Sequence, residues 1–103
     1  MATTVITSAP GAATGLVPAV IGTVPLSTSE ESLTLVTGDA GRTKVQLVSD
    51  VAWYWHHLTG QTTGVMCPVQ SGQVFEIDLV TATTTLFLRL AGGTGTLRVV
   101  KVI

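Results

Sequence analysis

Charged side chains are scarce in this chain. Aspartate, glutamate, lysine and arginine make up 11% of its 103 residues, where globular domains usually carry about 25%. That shortage bears on several functions at once. The basic residues, Arg42, Lys44, Arg89, Arg98 and Lys101, are scattered, and the formal net charge is −1. A phosphate backbone or an anionic membrane surface therefore meets no cluster of cations, and neither nucleic acid nor membrane is expected as a partner. No apolar run approaches the ~20 residues that span a bilayer. The longest, from Gly15 to Gly22, is interrupted by Pro18. A cationic stretch of the kind that opens a secretory signal is missing from the first residues. The single cysteine, Cys67, has no partner for an internal disulfide and is expected to be buried as a small hydrophobe.

What is present is apolar and β-branched. Hydrophobic residues account for 46% of the chain, and threonine supplies much of the polar remainder, a residue whose branched Cβ suits a pleated strand. One domain fits this length, and it buries a modest core. A surface with so little charge keeps a monomer in solution only weakly, which favours extensive contact with partner chains.

The composition divides the chain near Ser29. Residues 1–29 hold no charged side chain and carry Pro10, Pro18 and Pro25. Proline removes a backbone donor and fixes φ, so regular strands are not expected there. Yet Leu16, Val17, Val20, Ile21, Val24 and Leu26 are too apolar for a solvated linker. This part is read as an extended arm ordered by lying on another surface, or alternatively as an irregular first strand packed on its own domain.

Residues 30–103 read as β-structure. Leu33 and Leu35 alternate with polar neighbours, as do Val45 and Leu47, Phe75, Ile77 and Leu79, and Leu86, Leu88 and Leu90. Val51, Trp53 and Trp55 share one face, which points Tyr54 outward or into an interface. Glycine turns separate these runs, and Ala91-Gly92-Gly93-Thr94-Gly95 reads as a hairpin. The last run, Thr96 to Ile103, is apolar on both faces, as a central or covered strand would be. The fold class is all-β: a small antiparallel β-sandwich or barrel, with a jelly roll among the possibilities, preceded by the extended arm.

Candidate chemical sites are few. His56 and His57 are adjacent, so on a strand their rings would point to opposite faces and not converge on one metal. His56, Asp50 and the many hydroxyls include the parts of a nucleophilic triad, but no Gly-x-Ser-x-Gly elbow occurs. Glu76 and Asp78 share a strand face at a spacing conceivable for a glycosidase pair, and read more simply as its solvated side. The run Ala91 to Thr96 lacks the Lys-Ser/Thr and the following helix of a phosphate loop. Exposed Trp53, Tyr54 and Trp55 would make a sugar-stacking platform; inward-facing tryptophans would instead be core. No enzyme activity, metal or cofactor is expected.

Pro68-Val69-Gln70-Ser71-Gly72 ahead of Phe75-Glu76-Ile77, a Thr-rich connection into Leu86-Phe87-Leu88-Arg89, and the ending Gly93-Thr94-Gly95-Thr96-Leu97-Arg98-Val99 form a turn-and-strand rhythm over residues 51–103. It resembles small structural proteins encoded among the head and tail genes of tailed bacteriophages. The resemblance implies a virion component assembled in the host cytoplasm, homo-oligomeric, touching copies of itself and other virion proteins such as the major capsid protein. Capsid decoration or cement is the foremost role so implied, with a head–tail or tail-fibre-base position as the alternative. A carbohydrate-binding module is the remaining reading. The residues expected to form the interface are Leu16, Val17, Val20, Ile21, Val24, Tyr54, Val100 and Val102.

Overall fold

A computed structural model describes residues 2–8, 19–37, 43–79 and 83–101. Its strands are β1 (Ala2–Ser8), β2 (Ala19–Leu26), β3 (Glu31–Thr37), β4 (Thr43–Ser49), β5 (Trp53–His56), β6 (Cys67–Val69), β7 (Phe75–Leu79), β8 (Thr83–Arg89) and β9 (Gly95–Lys101). A three-residue 3₁₀ turn, Thr63–Val65, is the only helical piece among the described residues. The strands form two packed sheets, one ordered β1-β3-β8-β5-β6 and the other β2-β9-β4-β7.

This order is a jelly roll with one extra strand. Leaving out β1, every consecutive pair of strands except β5–β6 lies in opposite sheets, the double Greek-key arrangement of eight strands. Consequently the glycine-rich segment 91–94 is not a hairpin. It carries the chain from β8 in one sheet to β9 in the other. Gly93, at φ 75°, provides the one left-handed residue of that crossing. Glycine cues report a reversal of direction, whether the returning strand pairs with its predecessor or faces it across the core.

The alternating residues point where their spacing predicts. Leu33, Val45, Leu47, Trp53, Leu88, Leu97 and Val99 are fully buried, and Leu35 and Leu79 nearly so. Each such side chain stabilises the fold by roughly 1.5–3 kcal/mol. Aromatic rings bridge the two layers. Phe75 of β7 stacks on Trp55 of β5 with centroids 5.0 Å apart and lies tilted against Trp53 at 6.0 Å. Strand β9 is interior to its sheet, between β2 and β4, consistent with its two apolar faces.

Where it is described, the N-terminal region packs on its own domain and is more regular than its prolines suggest. Its described portions are regular strands of the sandwich. β2 pairs antiparallel with β9 over Ala19 to Leu26, and β1 pairs parallel with β3 over all seven of its residues. The sheet containing β1 is therefore mixed; β2, in the opposite sheet, serves as the crossover that a parallel pair requires. Two of the prolines, Pro10 and Pro18, lie outside the described residues. Pro25 sits on β2, an edge strand, where a missing donor is tolerated. A register shift between Val20 and Gly22 also marks that edge.

Side chains seal this side of the sandwich. Ile6 of β1, Val24 and Leu26 belong to the core cluster, with Ile21 packed against it. A Cβ on Gly22 would lie 2.6 Å from Ile6 Cδ1, so glycine there admits the isoleucine. One of the glycine turns read between the alternating runs, Thr37-Gly38-Asp39-Ala40-Gly41, lies beyond Thr37 outside the described residues.

Candidate interaction surface

His56 ends β5 and the chain bends at His57, so strand alternation no longer separates the two histidines. Their rings stack with centroids 4.7 Å apart and planes at 12°. The expectation of opposite faces fails for that reason. His56 Nδ1 accepts the Leu58 N–H at 2.9 Å, which occupies one of its nitrogens. Among the described residues no three His, Cys, Asp or Glu side chains gather as a metal would need. Cys67 is exposed, contrary to expectation. It lies on β6, a three-residue strand at the edge of its sheet, opposite Trp55 of β5.

The other pairings are dispersed. Asp50 binds Arg98 at 2.9 Å on the surface, and no contact joins it to His56. Glu76 meets Lys44 Nζ at 3.7 Å and accepts from Gln46 Nε2 at 3.1 Å, as part of a solvated strand face. Trp53 is fully buried and Trp55 packs on the core, so the platform of exposed tryptophans does not exist. Tyr54 alone of that trio turns outward, opposite Arg89 on β8 and Pro68 on β6. No cavity opens among the described residues. What the fold presents instead is two outer sheet faces.

The outer face of the β1-containing sheet is held at one end by Glu30. Its carboxylate accepts the Thr59 hydroxyl at 2.6 Å and the Gly60 N–H at 2.8 Å. These bonds tie the β5–β6 connection to the start of β3. The Thr59 bond does most to hold the Glu30 carboxyl below its ordinary range. Burial opposes it, while the Gly60 N–H, the Arg89 charge and the Gln61 N–H add to it. Further along, Thr34 and Thr85 share a hydroxyl hydrogen bond of 3.1 Å. Phe87 stands between Ser32 and His56, and Val5 on β1 is 60% exposed.

The outer face of the other sheet carries valines across its strands. Val20 of β2 lies opposite Val100 of β9. Val48 of β4 lies opposite Arg98, and Val74 adjoins the Phe75 that pairs with Leu47. Val20 is 58% exposed and Val74 50%, with Val48 and Val100 half-buried. Lys44, Glu76, Asp50 and Arg98 provide the charge around them.

The eight residues expected at an interface therefore part company. Val20 and Val100 come together on this valine face. Tyr54 is on the opposite face of the sandwich. Val24 is wholly buried and Ile21 packs on the core, which withholds both from a partner chain while β2 stays in its sheet. Leu16, Val17 and Val102 lie outside the described residues. Sequence reasoning misses Val48 and Val74, although Val48 falls on the outward register of a strand whose inward residues, Val45 and Leu47, are plain from the alternation. Comparison with family models, with curated proteins and with solved structures found no match.

Proposed function

We propose that this chain is a structural component of a phage particle, most simply a capsid decoration or cement protein, acting through protein–protein contacts. The observation that carries the reading is the valine face formed by Val20, Val100, Val48 and Val74 on a domain with so few charges. Apolar side chains grouped on a sheet face are the usual mark of a protein contact. The jelly-roll connection agrees with it, being common in viral capsid domains, though lectins and cupins use it too and a fold alone does not assign a role. Copies of the chain and the capsid shell are the partners so implied.

Mass spectrometry of purified particles from a lysate expressing the chain tests this reading. Incorporation in many copies, lost in a Val20→Asp/Val100→Asp variant that still folds, is the expected result. A chain absent from particles refutes it. Incorporation at about a dozen copies or fewer, as at a single symmetric vertex, moves the assignment to the head–tail or tail-fibre-base position.

A further inference from the structure

Each sheet of an open sandwich ends in two edge strands, and an edge presents unpaired backbone N–H and C=O groups to any other strand. Among the described residues, three of the four edges carry devices that discourage such pairing. β6 is three residues long and contains Pro68. β2 contains Pro25 and a register shift at Ile21, and both features interrupt a regular ladder. β7 carries Glu76 and Asp78, which would set carboxylates against carboxylates if two copies met there.

β1 has none of these. Its seven residues, Ala-Thr-Thr-Val-Ile-Thr-Ser, include no proline, no glycine and no charge. All seven are in unbroken register with β3, so the strand is held straight by its inner neighbour. Among the described residues nothing pairs with its second edge. Threonine, valine and isoleucine are the residues that strand pairing favours.

We infer that β1 is the edge at which a second copy of this chain adds its own β1, antiparallel, about a two-fold axis at Val5. A copy fits because the strand is uncharged and therefore meets itself without repulsion, unlike β7. Val5 is the midpoint of Ala2–Ser8, so this register pairs the whole strand. It sets Val5 opposite Val5 on the outer face and Thr4 opposite Ile6 on the inner. Each pairing keeps inward residues inward, as continuation of a sheet demands. Two five-stranded sheets then become one sheet of ten, five from each copy. A two-fold contact of this kind closes on itself and leaves no β1 edge for a third chain.

Light scattering after size exclusion tests the inference on the full chain, alone and as Val5→Lys and Val5→Glu variants. Val5 is exposed on an outer face, so either substitution leaves the core intact, and circular dichroism verifies the fold. The wild type is expected at twice the monomer mass, each variant at the monomer mass, and an equal mixture of the two variants again at twice that mass. Opposite charges at directly opposed positions attract where like charges repel. Amide hydrogen exchange gives an independent reading: β1 amides facing away from β3 gain protection in the dimer. The inference is overturned by any of three results: a wild type that stays monomeric at about 100 µM, where micromolar affinity gives mostly dimer; a dimer that survives Val5→Lys; or a mixture that fails to restore it.

Discussion

Glu30 sits at the mouth of the β5–β6 connection with 9% of its surface exposed, and its replacement by glutamine separates charge from shape. Glutamine keeps the length of the side chain but offers one acceptor oxygen where the carboxylate offers two. That oxygen takes the Gly60 N–H while the amide N–H donates to the Thr59 hydroxyl oxygen, so both contacts persist only as neutral hydrogen bonds. Hydrogen bonds to charged groups contribute about 1.5–3 kcal/mol each. Neutral bonds contribute about 0.5–1.5 kcal/mol each, and Thr59 and Gly60 are exposed to water, so exchanging both charged bonds for neutral ones costs about 1–2 kcal/mol in all. For a domain of this size that lowers Tm by roughly 4–16 °C, at about 4–8 °C per kcal/mol. The loss should depend on pH in a definite direction. Because the folded-state carboxyl is held below its ordinary value of 4.5, its contribution is fully present above that value. It fades as pH falls through the lower, folded-state value. Thermal melts of wild type and Glu30→Gln across acid and neutral pH, compared at each pH, isolate the effect, since groups remote from Glu30 contribute equally to both. The gap in Tm should be constant at neutral pH and close in acid. A gap that persists undiminished at the acid end, or equal stability at neutral pH, would refute the account.

The N-terminal strands and the thiol each lend themselves to a direct test. Deleting residues 2–26 removes β1, β2 and the core side chains Ile6, Val24 and Leu26, so the remainder should lose its cooperative melt by circular dichroism; a remainder that melts as sharply as the full chain would restore the reading of a detachable arm. Cys67, exposed on an edge strand, should react with a thiol reagent as completely in the native protein as in denaturant, whereas native protection would mean that the edge is covered.

Much of the sandwich is legible in the amino-acid sequence. Period-two alternation places Leu33 and Leu35, Val45 and Leu47, and Leu86 and Leu88 on inward faces, because one buried face forces that pattern whatever the neighbouring strand. Trp53 and Trp55 are assignable to the core by the same parity. The valine face is half legible: Val20 and Val100 stand out in their segments, while Val48 and Val74 are hidden among stronger inward signals. Residues 1–29 leave two readings open because proline and the lack of charge describe a partner-bound arm and an edge strand equally well. Pro25 shows why. Proline is excluded from a strand only where a neighbour lies on the side its N–H would face, and among the described residues β2 has a neighbour on one side alone.

The sequence by itself determined that the chain is all-β, which residues turn inward, and that its surface is poor in charge, since each of these follows from local periodicity or from composition. Tertiary structure alone decided which strands pair. Alternation makes a strand's face known but not its neighbour, and a glycine turn reverses the chain equally well within a sheet or across the core. Residues 91–94 cross between sheets, β1 lies parallel to β3 with β2 between them in the chain, and His56 and His57 stack where the strand ends. Those arrangements are set by how two twisted sheets bury their inner faces against each other, which no window of the sequence contains.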